Sequence, residues 1–303
     1  MRYTGACRNW SFWCDERLRL WVDPARQADE EYVLTVTELG NIWRWREAVY
    51  RLVARNLKVR YKNSALGFFW SFLNPLMQVV VMTIAFRYIM GLQIENYSAQ
   101  LFTVLLPWQF FSQAVSDGSV AVAENNPLLR KFPFPRIILP LCTLFSNLIH
   151  LLLGMTVLVV IFLALPVAIL PSFAWVIVFM AIQMMFMMGL LMLVAVLRMY
   201  YDDIRFILEA LLRLWFYLTP LAYNIQMVMD SERLTALQKQ LYLLGNPMTP
   251  VMIGYRSALL EGGVWPIENF WFYVGVSAAV SAVVLLAGAI VWRRYEWQLP
   301  ELL

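Results

Sequence analysis

Residues 58–90 read KVRYKNSALGFFWSFLNPLMQVVVMTIAFRYIM, and the order of residue types within them decides the class of fold. Lys58, Arg60 and Lys62 come first, then Phe68, Phe69 and Trp70, then a long apolar run interrupted early by Asn74-Pro75. That order suits a chain passing from the cytoplasmic headgroup layer into hydrocarbon: cations lie at the anionic surface, rings at the interface and apolar side chains beyond. Pro75 removes one helical hydrogen bond and presses on the carbonyl of Ser71. It reads either as a simple kink or as a bend that lets the helix line a passage, with Asn74 facing it.

Working outward, the rest of the chain repeats the pattern. Of 303 residues, 61% are hydrophobic and 15% charged, against about a quarter charged in a soluble domain. A spanning helix needs about 20 mostly apolar residues. Six runs qualify: 68–91, 100–122, 137–165, 172–197, 205–224 and 268–292. The third is long enough to tilt or protrude, and the fifth is short and carries polar residues. The expected fold is an all-α integral membrane protein with six transmembrane helices.

Basic residues set the orientation. Residues 1–67 hold twelve Lys and Arg, and the 123–136, 198–205 and C-terminal segments bring the total to 19 of 24. The intervening 92–99 and 166–171 loops hold none. The positive-inside rule then places both termini in the cytoplasm, a parity that six spans satisfy and five do not. Residues 1–35 have no apolar core or small-residue cleavage site, so the first span is expected to act as the anchor. The net charge of +4 is too small to suggest nucleic acid. Cys7, Cys14 and Cys142 form no disulfide framework, and reduced thiols are the default.

Between the spans three segments stand out. Residues 41–57 place Trp45, Val49, Leu52 and Val53 on one helical face and Arg44, Arg51 and Arg55 on others, as in an amphipathic helix lying in the headgroup layer. The 123–136 loop, AENNPLLRKFPFPR, combines three prolines with Arg130, Lys131 and Arg136; it suits a short stiff helix that docks another protein, or a plain connector. Residues 225–266 hold two candidate short helices, 234–244 and 250–260, the second capped by Thr249 with Pro250 at its first position. Neither is long enough to cross. Backbone of this kind at membrane depth must be covered by protein or face water, as in an outer gate.

The chemistry present is sparse. Arg87, Asp117, His150, Glu209 and Arg213 lie within the spans, where a central charge costs about 2.5–3.5 kcal/mol, so they should face protein or water. Glu209 and Arg213 have the favourable i,i+4 order for a pair. His150 reads as a hydrogen-bonded core residue and not as a metal ligand. Asp202-Asp203 is the nearest approach to a metal-diphosphate site of a glycan-assembly enzyme, and Arg198 and Arg205 beside it offer a plainer explanation. None of the four lysines follows a glycine, so no G-x-x-x-x-G-K-[ST] phosphate loop exists; an energised process needs a partner. Trp108, Phe110 and Phe111 in the second run, and Trp215, Phe216 and Tyr217 in the fifth, read either as interfacial belts or as ring faces lining a channel over which sugars slide.

Four stretches carry a family resemblance: RYKNSALGFFWSFLNPL (60–76), LLPWQFFSQAV (105–115), NNPLLRKFPFPRIILPL (125–141) and NPMTPVMIGYRSALL (246–260). In order and together they resemble the membrane subunit of ABC-2 type polysaccharide exporters, the Wzm-type O-antigen and teichoic-acid permeases. The resemblance implies a homodimeric channel above two copies of a separate, Wzt-like ATPase. ATP and Mg would lie on that partner, and this chain would carry no cofactor, metal or catalytic residue. The cargo would be a polysaccharide on a polyprenyl pyrophosphate lipid, crossing the cytoplasmic (inner) membrane. Residues 1–40 would be a cytoplasmic extension, 41–67 the interface helix and linker, 68–296 the six-span domain with short outer gate helices, and 297–303 a cytoplasmic tail. Asn126, Pro127, Leu128, Leu129, Arg130, Lys131 and Phe132 would couple to the ATPase. A pyrophosphate at the inner leaflet needs cations at the membrane edge, and Arg60, Lys62 and Arg136 are candidates, as they also are for ordinary positive-inside charge. The alternatives are an ABC-2 permease for a drug or simple lipid, and a membrane enzyme of glycan assembly.

Overall fold

The computed structural model describes residues 44–62, 64, 67–91, 94, 96–125, 134–164, 174–260 and 264–296. The coupling stretch 126–132 lies outside the described residues, as do the N-terminal extension and Cys7 and Cys14. All packing described below belongs to the compact unit Glu47–Leu303.

Among the described residues the structure is helical throughout, without strands. The order is α1 (Arg46–Arg60), α2 (Trp70–Thr83), α3 (Tyr97–Glu124), α4 (Ile138–Ala164), α5 (Trp175–Tyr200), α6 (Ile204–Leu218), α7 (Ile225–Met229), α8 (Ala236–Gly245), α9 (Met248–Leu260) and α10 (Phe270–Tyr295). Among the described residues four segments are long and apolar enough to cross a bilayer: Phe72–Ile89, Ile138–Val160, Trp175–Tyr200 and Phe270–Tyr295. They match the first, third, fourth and sixth expected runs. The second and fifth runs form helices of another kind. At 28 residues α3 is about 42 Å long, but it is interrupted by glutamines, serines and Asp117. At 15 residues α6 is short, ending before Pro220 as a helix should.

Pro75 lies inside α2, and the helix runs on to Thr83 before widening into a π-helical stretch at Ile84–Ile89. Such stretches are short in proteins and frequent at functional sites. A 3₁₀ turn, Gly67–Phe69, leads in. Gly67 has φ +49°, a conformation that carries little cost only without a Cβ.

The core is organised around α3, of whose 28 residues 17 are buried. It packs against α2, α4, α5, α6 and α9, and this enclosure lets a helix too polar for lipid lie within the bundle. The most extensive helix contact among the described residues is α5 on α10. A Cβ on Gly288 would lie 2.4 Å from the Gly189 carbonyl oxygen, and one on Gly189 would lie 2.5 Å from Val284 backbone. Two glycines thus bring the backbones together, as small residues do in membrane bundles.

The 225–266 segment forms three short helices where two were expected. Thr235 caps α8 in a full capping box with Gln238, which satisfies two N-terminal donors reciprocally. The next helix, α9, begins at Met248, two residues before the expected start; Asn246, not Thr249, takes the capping role by accepting from the Met248 amide at 3.0 Å. Every residue from Met248 to Leu259 is buried. Within this segment Arg256 is pinned by the carbonyls of Tyr223, Pro220 and Leu221 at 3.2, 3.3 and 2.9 Å, so its buried charge meets oriented dipoles. Gln183, buried on α5, donates to the Pro107 carbonyl at 2.8 Å and accepts from the Tyr255 hydroxyl at 3.0 Å. That satisfied chain joins α3, α5 and α9 through the apolar core.

Candidate functional site

A cleft of about 820 Å³ lies between α1, α3, α4 and α6. Each wall is a helical stripe. Gln113, Asp117, Val120 and Glu124 recur on one face of α3, and Thr143, Ser146, Asn147 and His150 on one face of α4, the spacing that 3.6 residues per turn requires. Arg55 and Arg60 come from α1, and Arg205, Glu209 and Arg213 from α6. Four arginines thus face three carboxylates.

Polar groups on an otherwise apolar helix need partners. On α4, Thr143 and Ser146 donate to the carbonyls of Leu139 and Cys142, one turn back, at 3.1 and 2.7 Å. Asn147 donates to the Thr143 carbonyl at 3.0 Å. Its side chain also reaches across the cleft, donating to Asp117 Oδ2 at 3.0 Å and accepting from Arg60 Nη1 at 3.1 Å. Arg60 Nη2 donates to the same Asp117 oxygen, and Gln113 Nε2 donates to Oδ1 at 2.9 Å. One carboxylate therefore gathers donors from the end of α1, the middle of α3 and the middle of α4. Next to this network the Tyr61 hydroxyl and His150 Nδ1 lie 3.1 Å apart, in agreement with a hydrogen-bonded histidine. Arg55 donates to Asn125 Oδ1, just past the end of α3. Helix α1 is thereby tied to the bundle by polar side chains, with Val53 its one buried apolar residue.

The three cations expected at the membrane edge do not converge. Arg60 forms part of the cleft wall, Lys62 is exposed just beyond α1, and Arg136 donates to the Glu296 carbonyl at the end of α10. Burial draws the Arg136 guanidinium below its ordinary pKa, and neighbouring Glu296 works in the opposite direction. Glu209 pairs with Arg205, Nε to Oε1 3.3 Å, instead of with Arg213 one turn later. The glutamine, asparagine and aspartate of the cleft were not singled out together from sequence. Their helical stripes were the available signal, but the join to Arg60 bridges 57 residues and no local spacing encodes it.

The aromatic residues divide by exposure. Trp108, Phe110 and Phe111 are buried, and Trp215 and Phe216 are partly so. Phe111 meets Trp108 and Trp215 at ring distances of 5.3 Å each, Trp108 meets Phe216 at 5.8 Å, and Phe186 of α5 meets Trp215 at 5.9 Å. These mostly edge-on contacts, a preferred ring geometry, bind α3 to α5 and α6. Tyr217 and Asn74 are exposed. Trp215 also donates to Asn246 at 2.9 Å, and Asn246 to Thr219 at 2.9 Å, which fastens the end of α6 to the start of α9. Among the described residues no cluster of His, Cys, Asp and Glu is arranged to hold a metal.

Comparison with known proteins places this arrangement. The family model described as ABC-2 type transporter matches residues 47–260, which contain the whole cleft. The O-antigen export system permease protein RfbA of Myxococcus xanthus is 32% identical over 260 residues, covering 84% of this chain and 96% of that protein. Two proteins of the same name from Klebsiella pneumoniae are 27% and 25% identical over 252 and 250 residues, each covering 82% of this chain and 92% of the relative.

Proposed function

Because this chain belongs to the ABC-2 type transporter family, we propose that it is the membrane subunit of an ATP-driven exporter that carries a polyprenyl-pyrophosphate-linked polysaccharide across the cytoplasmic membrane. The observation that carries this reading is the similarity to O-antigen export permeases along nearly their whole length. The subunit is a transport component and not an enzyme. Hydrolysis of ATP belongs to a partner ATPase, two copies of which sit beneath two copies of this chain.

In this reading the six crossings are α2 with its π-helical extension, α3, α4, α5, α6 and α10, flanked by cytoplasmic termini as the basic residues require. Residues 41–67 form the interface helix and linker, and residues 68–296 the six-span domain. The 820 Å³ cleft supplies a polar recess beside α1 where a charged headgroup is solvated while its lipid tail stays in the bilayer. Arg60 is the cation best placed for it; Lys62 and Arg136 act at the margins. Residues 126–132 dock the ATPase. Exposed Asn74 and Tyr217 face the glycan, and the buried rings behind them stiffen the wall.

The test is depletion of the chain in its host. Lipid-linked polysaccharide should accumulate inside and vanish from the surface, and an ATPase should co-purify with the tagged protein. Neutralising Arg130 and Lys131 together should cut export while leaving the protein in the membrane. Surface polysaccharide that survives depletion would sink the reading.

A further inference from the structure

We propose that the Arg60–Asp117 pair is an anion seat occupied by the protein's own carboxylate, and that the diphosphate headgroup of the cargo takes the place of Asp117 on arrival. The proposal rests on the exporter reading above and adds to it a specific competitor. Three donors from three helices, Arg60, Gln113 and Asn147, converge on one carboxylate. A phosphoryl oxygen accepts from a guanidinium and from amides in the geometry that a carboxylate oxygen does. The pair is reachable: the Arg60 and Asp117 side chains retain 31% and 27% of their exposure, and both line the cleft.

The surroundings favour exchange over a permanent bridge. Arg55, Arg205 and Arg213 line the same recess, so an incoming diphosphate, with more than one negative charge, gains partners that a single carboxylate cannot engage. Asp117 leaves by rotating about its own side-chain bonds, and Gln113, one turn earlier on the same helix, can follow it. The exchange also loosens the interface helix, because Arg60 is a side-chain tie between α1 and the middle of α3. Occupancy of the seat is thus felt at α1, which Arg55 also ties to Asn125 at the end of α3. An internal competitor lowers apparent affinity by the fraction of time that it fills the seat.

The experiment measures equilibrium binding of fluorescent farnesyl diphosphate, with inorganic pyrophosphate as competitor, to the purified full-length chain in nanodiscs of zwitterionic lipid. Asp117→Asn keeps the shape and removes the charge, so it should tighten binding about fivefold, the worth of a partly exposed ion pair. Arg60→Gln should weaken binding, and Arg60→Lys should restore part of it and guards against a folding defect. Tightening for farnesyl diphosphate alone assigns a lipid headgroup; tightening for inorganic pyrophosphate as well assigns the diphosphate regardless of its tail. Unchanged or weaker binding by Asp117→Asn, with a normal melting temperature, overturns the proposal and leaves Asp117 a structural acid. Surface polysaccharide in depleted cells is read separately: a chain that exports but never binds the probe loses the seat and keeps the exporter reading.

Discussion

Two regions of the molecule solve the same problem in opposite ways. Where α5 crosses α10, the bilayer is excluded by removing side chains: Gly189 and Gly288 let the backbones meet, and no ion pair is found there among the described residues. Where α1 meets α3 and α4, the gap is left open and filled with polar groups that hold each other, Arg60 to Asp117 to Asn147. The first region gains dispersion contacts and tolerates no added atom. The second gains little stability, because partly exposed pairs are worth about 0–1 kcal/mol, and retains charge that lipid would penalise. The dry seam holds the fold, and the wet cleft is the seat of the proposed function.

Substitutions can break or sharpen that division. The largest effect is expected at the seam: Gly288→Leu forces heavy atoms into backbone and should cost at least the upper end of the ~1–3 kcal/mol typical of overpacking, seen as loss of the monodisperse peak in detergent. Arg256→Met comes next. It removes the donor shared by three carbonyls, two of them buried, and should cost about 2–3 kcal/mol, read as a lowered melting temperature, with Arg256→Lys partly restoring it. At the cleft, Asp117→Asn should cost less than about 1 kcal/mol while changing headgroup binding; a collapse in stability as large as that at Gly288 would erase the contrast. Smallest is Arg51→Ala, which removes an exposed pair with Glu47 at 2.9 Å and should cost no more than about 0.5 kcal/mol.

The sequence disclosed these regions unequally, for physical reasons. A bilayer demands long apolar runs, so α2, α4, α5 and α10 were legible from composition alone. The run of α3 was legible as well, although its polar residues are tolerated because five helices surround it, a fact of packing that no window of sequence contains. That enclosure also turned Trp108 and Phe111 inward, where composition had allowed either belt or channel. In α8 and α9 the helices were visible, but the cap moved from Thr249 to Asn246 because Asn246 is held in place by Trp215 from another helix. Glu209 has arginines four residues to either side; helix order favours Arg213, but the fold selects Arg205. Asp117 was legible only as a charge that should face protein or water; that it meets Arg60 depends on a tertiary contact.

The central claim is that this chain conducts a lipid-linked polysaccharide. Its most direct test is transport in inverted membrane vesicles supplied with lipid-linked glycan and ATP, with and without this chain. The account predicts ATP-dependent appearance of the glycan in the lumen only when the chain is present. Equal translocation in vesicles that lack it would contradict the account.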